Sequence, residues 1–574
     1  MAHGPHLEDS EFDFVIVGGG SAGCVLAARL SEDPRSSVAL LEAGNEGRSA
    51  LVDVPAGTVA MLPTRLNNWA FRTEPQPGLG GRRGYQPRGK VLGGSSAINA
   101  MVYVRGHRTD FDRWARLGNP GWGYADVLPY FLKAEDNERL GAPFHGRGGP
   151  LAVSDSRTDN PFHRTFLQAA REAGFPLNDD FNGAEQEGLG IYQVTQRDGR
   201  RCSTAHAYLH PVMGRRPNLA VHTHAMAQRV LFEGRRAVGV EFLQGGTLRR
   251  VRARREVIVC AGALQSPQLL MCSGVGDAQV LGDHGIARVA HLPGVGLNLH
   301  DHIDFILSYR LPDVALAGVS LHGAWKLVRE AWRYRRERRG MLATNFAEAG
   351  GFLRLRPDSS VPEIQFMLVT GIVEDHARTL RMGHGVSLHV TLLRPASRGS
   401  VGLHGSTMAT PPRIDPKFYA DPADLETMLE GFKLGRRLMA APAFASRITR
   451  ELHTAHVRTD DDIREVLRAR SDTVYHPVGT CRMGSDALAV VDAELRVHGV
   501  QGLRVVDASV MPTIVNGNTN AATVMVAEKA ADLIRQRRPA RGSVLPETLR
   551  QMLQPAPVAG AAAPPHAAGT KVPA

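Results

Sequence analysis

The 574-residue chain is poor in cysteine, in aromatic residues (6%) and in long apolar runs. Its five cysteines (Cys24, Cys202, Cys260, Cys272, Cys481) are an odd number, widely scattered and without a CxxC pair. That argues against a disulfide framework and against a zinc site. No stretch reaches the roughly 18 to 20 uncharged apolar residues of a membrane span, and no internal repeat is visible. The first residues, MAHGPHLEDSEFDF, lack the basic and then apolar pattern of a secretory leader, so a cytoplasmic location is expected. Charge is lopsided, with 68 Lys and Arg against 57 Asp and Glu, formally +11. The excess is mostly arginine spread along the chain without a recognition module, so nucleic acid is not expected as a partner.

One basic segment stands apart. In WKLVREAWRYRRERRG (325–340), Trp325, Leu327, Val328, Ala331 and Trp332 fit a helical apolar stripe. Lys326, Arg329, Arg333, Arg335, Arg336, Arg338 and Arg339 surround it. Such a helix is a candidate for peripheral contact with an anionic inner-membrane surface; the alternative is a solvated helix whose stripe packs on its own domain.

Glycine, by contrast, is plentiful at 61 residues. FDFVIV (12–17) runs into GGGSAG, then the helical CVLAARLSED, then SVALLEAG: strand, turn, helix, strand. Gly18, Gly20 and Gly23 match GxGxxG in that context, with Ser21 and Ala22 at the opening of the helix. The glycines permit a tight turn, close approach to a pyrophosphate and close helix packing, and the helix N-terminus offers free N–H groups. Glu42, followed by Ala43, ends the second strand, where a carboxylate accepts hydrogen bonds from a ribose diol. The pattern predicts FAD or NAD and does not choose between them.

VIVCAG (257–262) and GLRVVDAS (502–509) are further buried-strand signals that a parallel sheet would gather from afar. SLHVTLL (387–393) and SVGLH (400–404) alternate instead, with helices predicted at 424–440 and 460–470. The fold class is therefore α/β: a Rossmann-like nucleotide-binding domain assembled from discontinuous segments, with an inserted α+β domain on a mostly antiparallel sheet. The Ala- and Pro-rich tail, 541–574, is predicted to be disordered.

A second small-residue cluster lies in PRGKVLGGSSAINAMVYVRG (87–106). It closely resembles the first signature of the glucose–methanol–choline family of FAD-dependent oxidoreductases. GALQSPQLLMCSGVG (262–276) resembles the second. NNWAFRTEPQ (67–76), PGVGLNLHDH (293–302), TVYHPVGTCRMG (473–484) and VDASVMPTIVNGNTNAATVMVAEKAADLI (506–534) continue the resemblance, which spans 11–535 and is greatest to choline and aliphatic alcohol dehydrogenase-type members.

The resemblance implies an FAD-binding domain from 11–160, 215–310 and 471–540, and a substrate domain from 161–214 and 311–470. It lays Arg88, Val91, Leu92, Gly93, Ser96, Asn99, Ala100, Met101 and Val102 beside the flavin and pyrophosphate, with Trp69 and Ala227 at the adenine. Asp507 and Ala508 fall at the ribityl and pyrophosphate, and Asn520 and Ala522 near the flavin. Members with covalent flavin carry a histidine where this chain has Ile98, so the FAD is expected to be noncovalent. His476 matches the catalytic base, Asn518 its partner, and Glu348 and Tyr475 the substrate cavity. HDH at 300–302 looks like a metal pair but belongs to a family loop, and no metal is expected. The implied reaction oxidises an alcohol to the aldehyde, with a hydride passing to flavin N5 and electrons onward to a quinone or other acceptor. An O₂-using oxidase and a hydroxynitrile-lyase-like flavoprotein without net redox share these motifs.

Overall fold

The computed structural model describes residues 10–313, 318–319, 321–379 and 381–536, with the side chains of 318–319 and 321–327 left out. The tail at 541–574 and the side chains of Trp325, Lys326 and Leu327 thus lie outside the described residues.

Strand Glu11–Val17 ends in four buried residues, as a strand covered on both faces requires. It pairs in parallel with Val38–Leu41 on one side and Thr247–Val259 on the other. Leu219–His222 extends the sheet in parallel beyond Val38–Leu41. The long strand Thr247–Val259 divides its far edge. Its first half pairs antiparallel with Arg236–Gln244, which pairs with Ala225–Glu233. Its last residues, Val257–Val259, pair in parallel with Leu503–Val505. The parallel strands therefore deliver Gly18, Glu42, Cys260 and Val506 to one edge of the sheet, where open α/β folds bind ligands.

Helix Ser21–Leu30 packs against helix Thr519–Ile534, nearly 500 residues on, and both are buried on almost every side. Val25, Leu26, Val524 and Val526 are essentially inaccessible, each contributing about 1.5–3 kcal/mol by burial. Helix Gly262–Cys272 begins three residues after strand Thr247–Val259 ends.

The second sheet is antiparallel, ordered Arg450–Leu452, Ile303–Arg310, Gly383–Leu392, Ile364–Val369, Ala347–Leu353, Gly188–Ile191. Phe305, Leu307, Ile364, Phe366, Leu388 and Val390 form its core with Leu429 and Phe432 of helix Pro422–Met439. That helix starts on an Asp421 cap to Ala423 N–H and ends within a residue of the predicted boundary. The basic helix spans Leu321–Glu337. Glu330 and Tyr334 face inward, while Val328, Ala331 and Trp332 point outward.

Candidate active site

A cavity of ≈ 1040 Å³ runs from the C-terminal edge of the parallel sheet to the antiparallel one. That exceeds the space one drug-sized ligand fills, so a dinucleotide and a small substrate fit together.

The dinucleotide half is built by glycine. A Cβ on Gly23 would stand 1.9 Å from the Gly18 carbonyl oxygen, so the helix could not approach the first turn. Gly94, at φ +53, would place a Cβ 2.7 Å from Gly20 Cα. The two glycine-rich stretches thus touch backbone to backbone, held by Gly93 N–H donating to Gly19 O at 2.7 Å. Helix Ser21–Leu30 has no side-chain cap, leaving its first N–H groups for an anion. Glu42 accepts from Gly19 N–H at 2.8 Å and Gly44 N–H at 2.7 Å, and burial raises its carboxyl to about 7. Asp507 accepts from Gly262 N–H, Ser266 Oγ and Ser509 N–H, with burial pushing its carboxyl up as well. Trp69 stacks on Phe71, and Lys90 lies 4.4 Å from the Trp69 ring centroid.

Gly18, Gly20, Ser21, Ala22, Glu42, Ala43, Trp69, Arg88, Asn99, Ala100, Met101, Val102, Ala227, Asp507, Ala508, Asn518, Asn520, Tyr475 and His476 line this cavity. Gly23, Val91, Leu92, Gly93, Ser96 and Ala522 stand behind its wall. Ser96, for instance, donates to Gly93 O at 2.6 Å and pairs with Thr204 Oγ1, stiffening the turn. Ile98 faces the cavity and packs with Val52, Met61 and Val91. Glu348 is not brought to the cavity. A bulge between Ala347 and Ala349 interrupts the alternation of strand Ala347–Leu353; Ala347 lines the cavity, and Glu348 turns to Thr344 (2.5 Å), His163 (2.7 Å) and Asn160 (3.1 Å). Lining residues that sequence reading missed include Gln265, Leu342, Phe346, Met367, His376 and Thr523.

His476 sits where the two halves meet, 8% exposed. Asp301 Oδ1 accepts its backbone N–H at 2.8 Å. Its Nδ1 lies 3.0 Å from His302 Nδ1 and its Nε2 3.2 Å from Asn518 Nδ2. Burial holds the imidazole well below the ordinary histidine value, with His302 and Arg88 acting in the same direction. The neutral ring is the form that accepts a proton. Tyr475, at φ +74, is anchored by its hydroxyl to His376 (2.5 Å), itself 2.8 Å from Asp472, while Arg88 donates to its carbonyl at 2.6 Å. The three residues of the HDH loop diverge: His300 to Asn298 and Ile514, Asp301 to Gln86, Thr473 and His476, His302 to His476 and Leu393. Among the described residues no cluster could hold a metal ion.

The GMC oxidoreductase N-terminal family model matches residues 12–304, and its C-terminal counterpart matches 395–527. The chain is a GMC oxidoreductase. It is 46% identical to an alcohol dehydrogenase [acceptor] of Pseudomonas putida, over 91% of this chain and 95% of that one. It is also 46% identical to the mitochondrial choline dehydrogenase of Mus musculus, over 92% and 89%. Among solved structures it is similar to pyridoxine 4-oxidase from Mesorbium loti (TM-score 0.82, 33% identity, 92% and 100% covered) and to formate oxidase of Aspergillus oryzae (TM-score 0.86, 28%, 92% and 99%). This GMC oxidoreductase is an FAD-binding flavoprotein that oxidises CH–OH donors. The glycine cradle, the uncapped helix and the buried Glu42 all suit that cofactor. No helix among the described residues is long and apolar enough to cross a membrane.

Proposed function

We propose that the protein dehydrogenates an apolar primary alcohol to the aldehyde, with His476 Nε2 as proton acceptor. FAD, when bound, supplies a two-electron acceptor for the hydride. The observation that carries the reading is His476 itself, a buried imidazole kept neutral and facing the cavity beside the Asn518 amide. His476 Nε2 takes the hydroxyl proton, and Asn518 Nδ2 donates to the substrate oxygen as negative charge develops there. Phe346, Ala347, Met367, Val369, Val373 and Val474 make an apolar wall that excludes water and orients an alkyl chain.

The same wall supports the substrate class. The carboxylates that line the cavity are Glu42 and Asp507, both in the dinucleotide half. With Glu348 turned away, a quaternary ammonium such as choline finds no counter-charge there, whereas an uncharged alkyl alcohol needs none. The two curated relatives at 46% identity carry dehydrogenase names, which favours a quinone or another acceptor over O₂. Anaerobic mixing with choline and with short, long and aryl primary alcohols tests this. Alkyl alcohols should bleach the flavin, and His476→Ala should slow bleaching by about 10²- to 10⁴-fold, the usual worth of a general base. Flavin that stays oxidised with every alcohol sinks the redox reading in favour of a lyase. Peroxide formed one-for-one with aldehyde in air sinks the dehydrogenase reading.

We further propose that Val328, Ala331, Trp332, Arg335 and Arg336, exposed along one face of the helix, seat on an anionic membrane surface. Arg336 lies over the Trp332 ring, 4.5 Å from its centroid, joining charge to apolar area. The paired mutant Val328→Glu/Trp332→Glu should abolish cosedimentation with phosphatidylglycerol vesicles while leaving alcohol oxidation intact. Equal sedimentation of parent and mutant defeats the proposal.

A further inference from the structure

A general base needs its lone pair on the nitrogen that meets the substrate, and a neutral imidazole can carry its single proton on either nitrogen. Two hydrogen-bond chains, each ending on a backbone carbonyl, meet at His476. The first begins at the Leu393 carbonyl, which can only accept. His302 Nε2 lies 3.0 Å from it and must therefore carry the proton. His302 is fully buried, and burial holds it at about 3 despite the carbonyls of Leu393 and Val515, so it is neutral with a lone pair on Nδ1. That lone pair faces His476 Nδ1 at 3.0 Å, with the rings nearly perpendicular at 87°. Two lone pairs would repel, so His476 Nδ1 carries the hydrogen.

The second chain reaches the ring from its other side. Tyr192 Oη lies 2.7 Å from the Phe366 carbonyl and gives its only proton there. It can then only accept from Gln365, which fixes the Gln365 amide with Nε2 toward Tyr192 (3.2 Å) and toward Asn518 Oδ1 (3.4 Å). Asn518 thereby turns its Nδ2 to His476 Nε2, and a donor on that side requires a lone pair on Nε2. Both chains impose one tautomer, and it is the one with the basic nitrogen facing the cavity.

We infer that His302 is a positioning residue that sets the tautomer of His476, accepting from Nδ1–H so that Nε2 is free to take the substrate proton. Once Nε2 is protonated, the same acceptor holds the imidazolium through a charge-assisted hydrogen bond. Of the other groups about His476, the Asp301 carboxylate meets its backbone N–H and the Arg88 guanidinium meets the Tyr475 carbonyl, and neither meets Nδ1. The inference rests on His476 being the base.

Two variants of the holoenzyme and one spectrum test it. His302→Leu fills the space without an acceptor, and His302→Asn puts an amide oxygen near the former Nδ1. His302→Leu should slow anaerobic flavin reduction by about tenfold or more, up to the loss seen without the base, and His302→Asn should stay within about threefold of the parent. FAD content should be unchanged in both. ¹⁵N NMR of histidine-labelled parent, assigned by difference with His476→Ala, should show His476 protonated at Nδ1 and bare at Nε2. His302→Leu should turn that signal into a mixture of tautomers. Parental rate and signal in His302→Leu overturn the inference, as does equal impairment of both variants or a parent protonated at Nε2. His476→Ala reducing flavin at the parental rate sinks the base reading itself, whatever His302 variants do.

Discussion

Replacing Glu42 removes a carboxylate that already accepts two backbone N–H groups, from Gly19 and Gly44, and still has acceptor capacity facing the cavity. A ribose diol there would donate twice to a charged group, at about 1.5–3 kcal/mol each. The pair is worth about 3–6 kcal/mol, so Glu42→Ala should weaken FAD binding by roughly 10²- to 10⁴-fold. The pH dependence follows from the same carboxyl. Burial raises it to about 7 in the free protein, and a diol that binds the ionised form must lower it. FAD affinity is therefore full above pH 7 and is lost as pH falls below it, and Glu42→Gln should remove that slope. Titrating apoprotein with FAD and following flavin fluorescence from pH 8 to 5.5 measures both effects. A Glu42→Ala dissociation constant within about threefold of the parent, or a parent affinity flat across pH 7, refutes the reasoning.

Three further expectations concern the same cavity. Gly94→Ala would force a side chain onto Gly20 at φ +53, a left-handed position costing about 1–2 kcal/mol before any clash; the purified protein should be largely flavin-free, and parental flavin content would contradict the backbone-contact account. Acid precipitation should leave yellow FAD in the supernatant, because Ile98 offers no atom for a flavin bond; colour retained in the pellet would contradict that. The rate of anaerobic flavin reduction should stay constant as pH falls through 6.5, since His476 is held well below that value, and decline only in more acid buffer. A midpoint at or above 6.5 would show that the ring is not shielded as described.

Much of the nucleotide half was legible because its determinants are local. A turn that must be glycine, a strand before it and an acid at the next strand end lie within 32 residues, Glu11 to Glu42. The substrate half was less legible because its determinants are not. Glu348 shows the difference: its direction is set at a bulge in its strand, and its partners His163 and Asn160 lie 185 and 188 residues away. His302 was visible as half of a histidine pair, but its role depends on which carbonyl it meets, and no spacing encodes that. Along the basic helix, periodicity marked a stripe without saying which way it faces. Glu330 and Tyr334, bonded to Met341 N–H and Gly199 O, took the inward side.

The divided edge of strand Thr247–Val259 also governs the order in which a growing chain becomes competent. Its antiparallel neighbours are local and form early, but its parallel partner Leu503–Val505 is among the last segments made. The cavity likewise takes lining residues from 17–22, 225–227, 260–265 and 507–523. A chain cut at residue 480 keeps the glycine turn, Glu42 and His476 in its sequence, yet lacks one wall of the flavin's room. A full flavin cavity therefore requires the final strand and the segment 507–523 that follows it.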